Sequence, residues 1–467
     1  MRFHRARRHQ TSRLCYCPAI HAIVRAAIVC TIPISTTGCF FSERSFPLQP
    51  GEAIRADTPV NLPAAKWLVH AHEKLKYLLP YHQDPAMLTG ELSDPSGRPV
   101  DLVARYTLKP DRLESMFDNF LGLSYSAQVT GPDAGDTPAP PWPGFIDVWA
   151  PIDARLKLAG RLGMARGPDG KIVPADCIVL LPGLCGGNNV IRQRDLATSL
   201  LASGLHVLAV EMRGQGQTAV RYPDVPCTWG IFESGDLLLV SDWLEAKPNV
   251  RRTGLIGFSW GGTNALLTAW NEGRPQNHPS IAPKLAGALP KIPRGRRYQA
   301  GVIVFSPILN LESLIEILAK PQSCLIHPVR AGLQKTIRNW KTRRGFPKPN
   351  GTLHDVIRCK ELNYEGSHED NLQFVRLLPY KGKPAGNKFA DVRMPMLIVH
   401  TADDPIVPVQ TVANLAAALK NPNVATIVLP TGGHIGFASY AKNWFYSMIL
   451  SFFDPNKGPK SKPAYGQ

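Results

Sequence analysis

A serine between glycines, a histidine among glycines and two adjacent aspartates have the types and spacing for nucleophilic chemistry in this chain. Gly257-Phe258-Ser259-Trp260-Gly261 follows the apolar run 253–258 and precedes a helical pattern over 262–271. Glycines on either side of a serine allow a sharp strand-to-helix turn that exposes the hydroxyl at the strand end, with the helix N-terminus aimed at it. The plainer alternative is a structural turn with an inert serine. A hydroxyl is a poor nucleophile without a base, so a histidine is needed in a loop beyond a late strand. Thr431-Gly432-Gly433-His434-Ile435-Gly436-Phe437 supplies it after the run 425–430. Of the thirteen histidines, His434 alone joins a post-strand loop to glycine neighbours, whereas His206 and His400 sit within strand patterns and read as core. The base needs a carboxylate to fix its tautomer and stabilise the imidazolium. Asp403-Asp404-Pro405-Ile406-Val407-Pro408 provides one, and we take Asp404, with Asp403 as the other candidate.

The elements that must position these residues are short apolar runs bounded by turn residues, at 178–183, 205–211, 253–258, 300–307, 394–400 and 425–430. Continuous apolar strands are expected where helices cover both faces of a sheet. Helical patterns at 194–203, 232–246, 262–271, 409–419 and 440–454 alternate with them, and two further strands, 145–152 and 156–164, come first. The fold class is therefore α/β, a doubly wound, mostly parallel sheet with function at the carboxyl ends of its strands. The segments 272–299 and 308–393 are too long for simple crossovers. The second has room for several helices, a cap that covers the site as a lid. A helical stretch at 66–79 and a Pro- and Gly-rich passage at 131–144 precede the main domain. These boundaries divide the chain into a leader (1–38), an N-terminal extension and linker (39–144) and a catalytic domain (145–460) with its cap at about 308–393.

The order Ser259, Asp404, His434 resembles that of the alpha/beta-hydrolase superfamily over about residues 145–454. Pro182-Gly183-Leu184 stands where such enzymes commonly have His-Gly-X, and Arg213-Gly214-Gln215-Gly216-Gln217 is similar to their Arg-Gly-x-Gly turn. The resemblance implies an alpha/beta-hydrolase fold with a helical cap insertion. It also implies an oxyanion hole made by the backbone N–H groups of Leu184 and Trp260. Pro182 in place of histidine removes a side-chain donor and leaves the backbone one. Gly214-x-Gly216 lacks the rest of a nucleotide-binding fingerprint.

The first forty residues carry targeting information. Six arginines and no acidic residue precede residue 39, followed by the apolar run 26–34 and Ser35-Thr36-Thr37-Gly38-Cys39. A positive region, a short apolar region and small residues describe an export leader, too short to span a bilayer. Its ending resembles the bacterial lipobox, with Thr36 where that pattern prefers Leu, and implies lipidation of Cys39. The formal net charge of +17 thus owes six charges to the leader, which weakens a nucleic-acid reading. The cationic stretches 291–297 and 338–344 suit anionic lipid headgroups or, more plainly, a solvated lid face.

After export, Cys177, Cys185, Cys227, Cys324 and Cys359 remain. An oxidising compartment allows two bridges, for which we take Cys185–Cys227 and Cys324–Cys359, with Cys177 a buried thiol. No C-x-x-C spacing suggests zinc.

Together these readings give an exported serine hydrolase, carboxylesterase- or lipase-like. It would act on a small-molecule or lipid-like ester from a membrane-anchored position in the cell envelope, needing no metal, organic cofactor or nucleic-acid partner. An acyltransferase, a serine peptidase and a catalytically silent envelope-binding lipoprotein are the other classes compatible with the motifs.

Overall fold

Nine strands, among the residues described, form one sheet in the order β1-β9-β8-β7-β6-β4-β5-β3-β2. The computed structural model describes residues 46–49, 51–53, 63–75, 78–79, 103–105, 138–292, 295–320, 328–346, 368–402, 404–408, 411–412, 415, 419–429, 432–437 and 441–453. The leader with Cys39, Asp403, Cys324, Cys359 and most of the expected helix 409–419 lie outside the described residues.

In chain order the strands are β1 (Val103–Arg105), β2 (Phe145–Pro151), β3 (Lys157–Gly163), β4 (Ala175–Leu181), β5 (His206–Val210), β6 (Val250–Phe258), β7 (Gly301–Phe305), β8 (Met396–Thr401) and β9 (Val424–Leu429). β2 and β3 pair antiparallel, as do β3 and β5, and the remaining pairs are parallel. This is the doubly wound, mostly parallel sheet that the apolar runs require. The helices used below are α1 (Ala64–Leu75), α2 (Ile191–Ala202), α3 (Gly216–Arg221), α4 (Glu233–Glu245), α5 (Trp260–Gly273), α6 (Pro283–Ala288), α7 (Leu311–Ala319), α8 (Pro328–Arg343), α9 (His368–Val375) and α10 (Lys442–Phe452).

Side chains of a strand alternate between faces, so an unbroken apolar strand feeds two cores. Val179, Leu181, Leu208, Val210, Leu255, Val302 and Val304 enter one, with residues of α4 and α5. Ile178, Leu180, Val207, Ala209, Ile256, Ile303 and Val399 enter the other, with residues of α1, α2 and α10. The cap belongs to the first: Leu311 and Leu314 of α7, Trp340 of α8 and Leu372 of α9 are all part of it.

The segment before residue 145 does not stand apart from the domain. Trp67 of α1 meets Phe452 edge-on at 5.2 Å and its indole N–H donates to the Ser451 carbonyl at 3.3 Å. The Phe46 and Leu48 amides donate to Asp195 and Ser199 of α2 at 2.7 and 3.1 Å. β1 adds a parallel edge strand beside β9. All described residues fall within one structural unit, Glu43–Gln467. Among them, no helix is long and apolar enough to cross a membrane.

Candidate active site

Ser259 closes β6 with φ 53° and ψ −118°, and α5 begins at the next residue. A left-handed φ is unfavourable for a residue with a Cβ and persists only where surrounding contacts enforce it. Here the Ser259 amide donates to the Phe305 carbonyl at 2.8 Å, and its own carbonyl accepts from Thr263 N at 3.0 Å. The flanking glycines are steric requirements. A Cβ at residue 257 would sit 2.4 Å from the Gly261 carbonyl oxygen, and one at 261 would sit 2.3 Å from that of Pro182.

His434 lies in the loop after β9, between Gly433 at φ 59° and Ile435. Its Nε2 is 2.7 Å from Ser259 Oγ, and its Nδ1 is 2.8 Å from Asp404 Oδ2. An ionised carboxylate only accepts, so Nδ1 carries the proton and Nε2 is left to accept from the serine hydroxyl. The Thr401 hydroxyl, at the end of β8, donates to the Gly433 carbonyl and fixes the loop to the sheet. Asp404 is held from behind, its Oδ1 accepting from Ile406 N at 2.8 Å and Val407 N at 2.9 Å. Burial pushes its carboxyl up, but His434, through charge and hydrogen bond, together with His400 and the Val407 amide, outweighs that. Its pKa therefore lies below the ordinary carboxylate value. All three side chains are buried. The structure thus brings together Ser259, His434 and Asp404.

Of the two expected oxyanion donors, Trp260 is the first residue of α5, where helix N–H groups have no intrahelical acceptor. Leu184 sits in the loop after β4, which runs against Ser259: a Cβ on Gly183 would lie 3.5 Å from that of Ser259. This loop is braced by a residue that sequence reasoning missed. The buried Glu211 accepts from Asn188 N at 2.6 Å and from Gln217 N at 2.5 Å, joining the loop after β4 to the Arg-Gly-x-Gly turn. Its signal in the sequence was a lone acid at the carboxyl end of an apolar strand. A second buried acid, Glu233, accepts from the Thr228 and Gly230 amides and the Thr228 hydroxyl. It secures Trp229, at φ 59°, whose ring meets Trp260 edge-on at 5.2 Å.

Among the described residues, the segment 308–393 reaches the surroundings of Ser259 and Asp404 at two points. Trp340 of α8 meets Trp229 at 6.5 Å and Phe346 at 5.6 Å, extending an aromatic row from the elbow into the cap. Arg330 of the same helix donates to the Pro405 carbonyl at 2.5 Å, next to Asp404. The cap is pinned below by Arg376, which pairs with Glu312 of α7 at 2.6 Å and Glu369 of α9 at 2.8 Å.

Two expectations need correction. Cys185 and Cys227 remain thiols and do not pair with each other. Both are buried in the apolar core, and burial, with the charge of Glu233, pushes the Cys227 thiol well up, away from the thiolate that exchange chemistry needs. Cys177 is likewise a buried thiol, as its strand pattern suggested. The stretch 291–297 does not present Arg297 to a surface: this buried residue pairs with Asp242 at 2.7 Å and Glu272 at 2.9 Å. Lys335, Arg338 and Arg343 of α8 are exposed. Among the described residues, no group of three His, Cys, Asp or Glu side chains is arranged to hold a metal ion.

The family model described as "Alpha/beta hydrolase family" matches residues 178–445, more than half of the chain. The chain belongs to the alpha/beta hydrolase family. The match begins in β4 and ends in α10, so it takes in the loop after β4, the Ser259 turn, helices α7–α9 and the loops of Asp404 and His434. Solved structures similar to this hydrolase include an esterase of Pyrococcus furiosus, at 16% identity over 68% of this chain and 97% of that one, with a TM-score of 0.41. Est1E of Butyrivibrio proteoclasticus, with ferulic acid bound, is 15% identical over 66% of this chain and 98% of that one, at 0.40. A lipase/esterase of Lactobacillus plantarum is 15% identical over 66% and 96%, also at 0.40.

Proposed function

We propose that this alpha/beta hydrolase is a serine hydrolase that cleaves a carboxylic ester, or a related acyl bond, through an acyl-enzyme. The observation that carries the reading is the relay Ser259–His434–Asp404, with 2.7 and 2.8 Å between successive polar atoms. Ser259 Oγ attacks the acyl carbon as His434 Nε2 takes its proton. The carbonyl π pair moves onto oxygen, and the N–H groups of Leu184 and Trp260 receive that charge. Collapse expels the alcohol, protonated by His434, and leaves a Ser259 ester. Water, deprotonated by His434, then attacks this ester to release the acid and restore the serine. Asp404 orients the imidazole and stabilises its charged form.

A small-molecule or lipid-like ester is the substrate class we propose, with the aromatic row Trp229, Trp340 and Phe346 as the apolar wall nearest the elbow. For location we propose export to the cell envelope, with a lipid on Cys39 as the anchor. This rests on the arginine-rich leader and its Gly38-Cys39 ending.

Fluorophosphonate labelling of the wild type beside Ser259→Ala, followed by a chain-length panel of esters, tests the chemistry. Labelling of the wild type alone is expected, and equal labelling of both would show that Ser259 is not the nucleophile. Mass analysis of the mature N-terminus tests the anchor, and an unmodified start elsewhere removes it.

A further inference from the structure

The triad carboxylate has a second histidine at its back. His400 is the penultimate residue of β8 and is fully buried. Its Nε2 lies 3.1 Å from the Val407 carbonyl oxygen, and its Nδ1 faces Asp404 Oδ2 at 3.8 Å without a hydrogen-bond partner. The same Val407 donates its amide to Asp404 Oδ1 at 2.9 Å. A carbonyl oxygen can only accept, so Nε2 must carry the proton, and in the neutral ring Nδ1 is then a bare lone pair turned toward the carboxylate.

We propose that His400 is a positioning residue of the triad: its neutral Nε2–H form holds the Asp404 turn through Val407 while leaving Asp404 Oδ2 wholly to His434. The proposal rests on the serine-hydrolase reading of the site. A proton added to His400 Nδ1 turns the lone pair into a donor aimed at Oδ2, the oxygen on which His434 depends. The carboxylate is then shared between two cations, and its support for the His434 imidazolium falls. His400 is thus an acid-side brake on the same relay.

Among the described residues, the charged or titratable groups that face the ring are Asp404 and His434. The neighbouring strands add none at this level: β9 sets Val428 opposite His400, and β7 ends at Phe305, opposite Val399. Burial pushes the proton affinity of His400 down, Asp404 opposes this, and His434 adds to it. The neutral form is therefore the one present at neutral pH.

The test is kcat against pH on an ester that the wild type turns over, for wild type, His400→Gln and His400→Phe. Glutamine sets an amide donor near the Nε2 position but nothing that titrates. In the wild type the acid limb should steepen from one proton to two as pH falls, and in His400→Gln it should stay at one. His400→Phe leaves the Val407 carbonyl without its donor, so kcat should drop roughly tenfold with KM unmoved, and glutamine should recover most of that loss. Superimposable acid limbs for wild type and His400→Gln would overturn the proposal. So would a 15N spectrum of the wild type at neutral pH in which His400 carries its proton on Nδ1. The spectrum needs neither turnover nor a variant that folds. Fluorophosphonate labelling of Ser259 separates the two failures: labelling with superimposable limbs refutes the role of His400 alone, and absence of labelling refutes the hydrolase reading.

Discussion

Replacing Asp404 by asparagine keeps the shape of a side chain that accepts three hydrogen bonds and removes its charge. Two of the three arrive at Oδ1, from Ile406 N and Val407 N, and one arrives at Oδ2, from His434. The asparagine oxygen must stay with the two backbone donors, because turning the amide over would set its NH2 against both. Its NH2 then faces His434 Nδ1, which has to become an acceptor, so the proton moves to Nε2. Nε2, 2.7 Å from Ser259 Oγ, can no longer take the serine proton. A base held in the wrong tautomer costs about 10⁴ in kcat, or ~5.5 kcal/mol of barrier. KM should change little, since the carboxylate is fully buried behind His434. The assay is steady-state hydrolysis of a chromogenic ester, with thermal unfolding as a control for folding. A loss below tenfold in folded Asp404→Asn would refute the reasoning, and a large loss in Asp403→Asn instead would move the role to that neighbour.

Gly261→Ala should lower kcat by 10²–10³ in a folded protein. Its methyl group would sit 2.3 Å from the Pro182 carbonyl oxygen and push back the loop that carries the Leu184 donor; wild-type kcat in a variant with native circular dichroism would contradict this. Arg376→Met should destabilise the fold by ~1–3 kcal/mol in urea titrations, because it leaves the largely buried Glu312 carboxylate without its guanidinium partner, while the half-exposed Glu369 keeps Lys383 at 2.5 Å. Lys388 sits in a cage of three carbonyls, those of Gln373, Arg376 and Ala385, where burial and then the charge of Arg376 lower its pKa from an ordinary 10.5 to about 7. Between those two values the unfolded chain holds a proton that the folded one has lost, so stability from this group rises with pH. From pH 7 to 9, wild type should gain about 2 kcal/mol over Lys388→Met in urea unfolding, and a difference independent of pH would refute the assignment.

The elbow and the relay were legible because their determinants are local. Glycine at 257 and 261 answers to a steric demand within a few residues, and a histidine in a glycine loop after an apolar run carries its own context. The strands were legible for the same reason, since burial on both faces leaves a continuous apolar run. Contacts between distant segments were not legible. Nothing near Glu211 in sequence announces that its carboxylate will take the Asn188 amide, 23 residues earlier. A three-residue edge strand such as β1 is too short to show a period, and its pairing with β9 spans most of the chain. Cys185 and Cys227 were paired from compartment arguments, but both went into the apolar core as thiols. His400 reads as core from its strand pattern, and it is core; its nearness to Asp404 depends on the turn at 405–407 folding back over the strand end.

The two long additions to the sheet act on opposite members of the same pair. Helix α8 reaches the Asp404 turn, because Arg330 holds the Pro405 carbonyl, one residue from Asp404. The segment before residue 80 reaches the base by a longer route. It packs Trp67 against the end of α10 and offers the Phe46 carbonyl to Tyr446 at 3.0 Å. α10 follows the His434 loop, and Phe437 and Ala441 between them are buried in the same core as Trp67. The 2.8 Å hydrogen bond between Asp404 and His434 spans two loops that leave adjacent strands; Arg330 holds the first at Pro405, and the N-terminal segment packs on the helix that follows the second. Loosening either brace should separate the acid from the base without touching the nucleophile. On the proposed function, the segments before residue 80 and after β7 therefore serve the relay as well as the packing of the sheet.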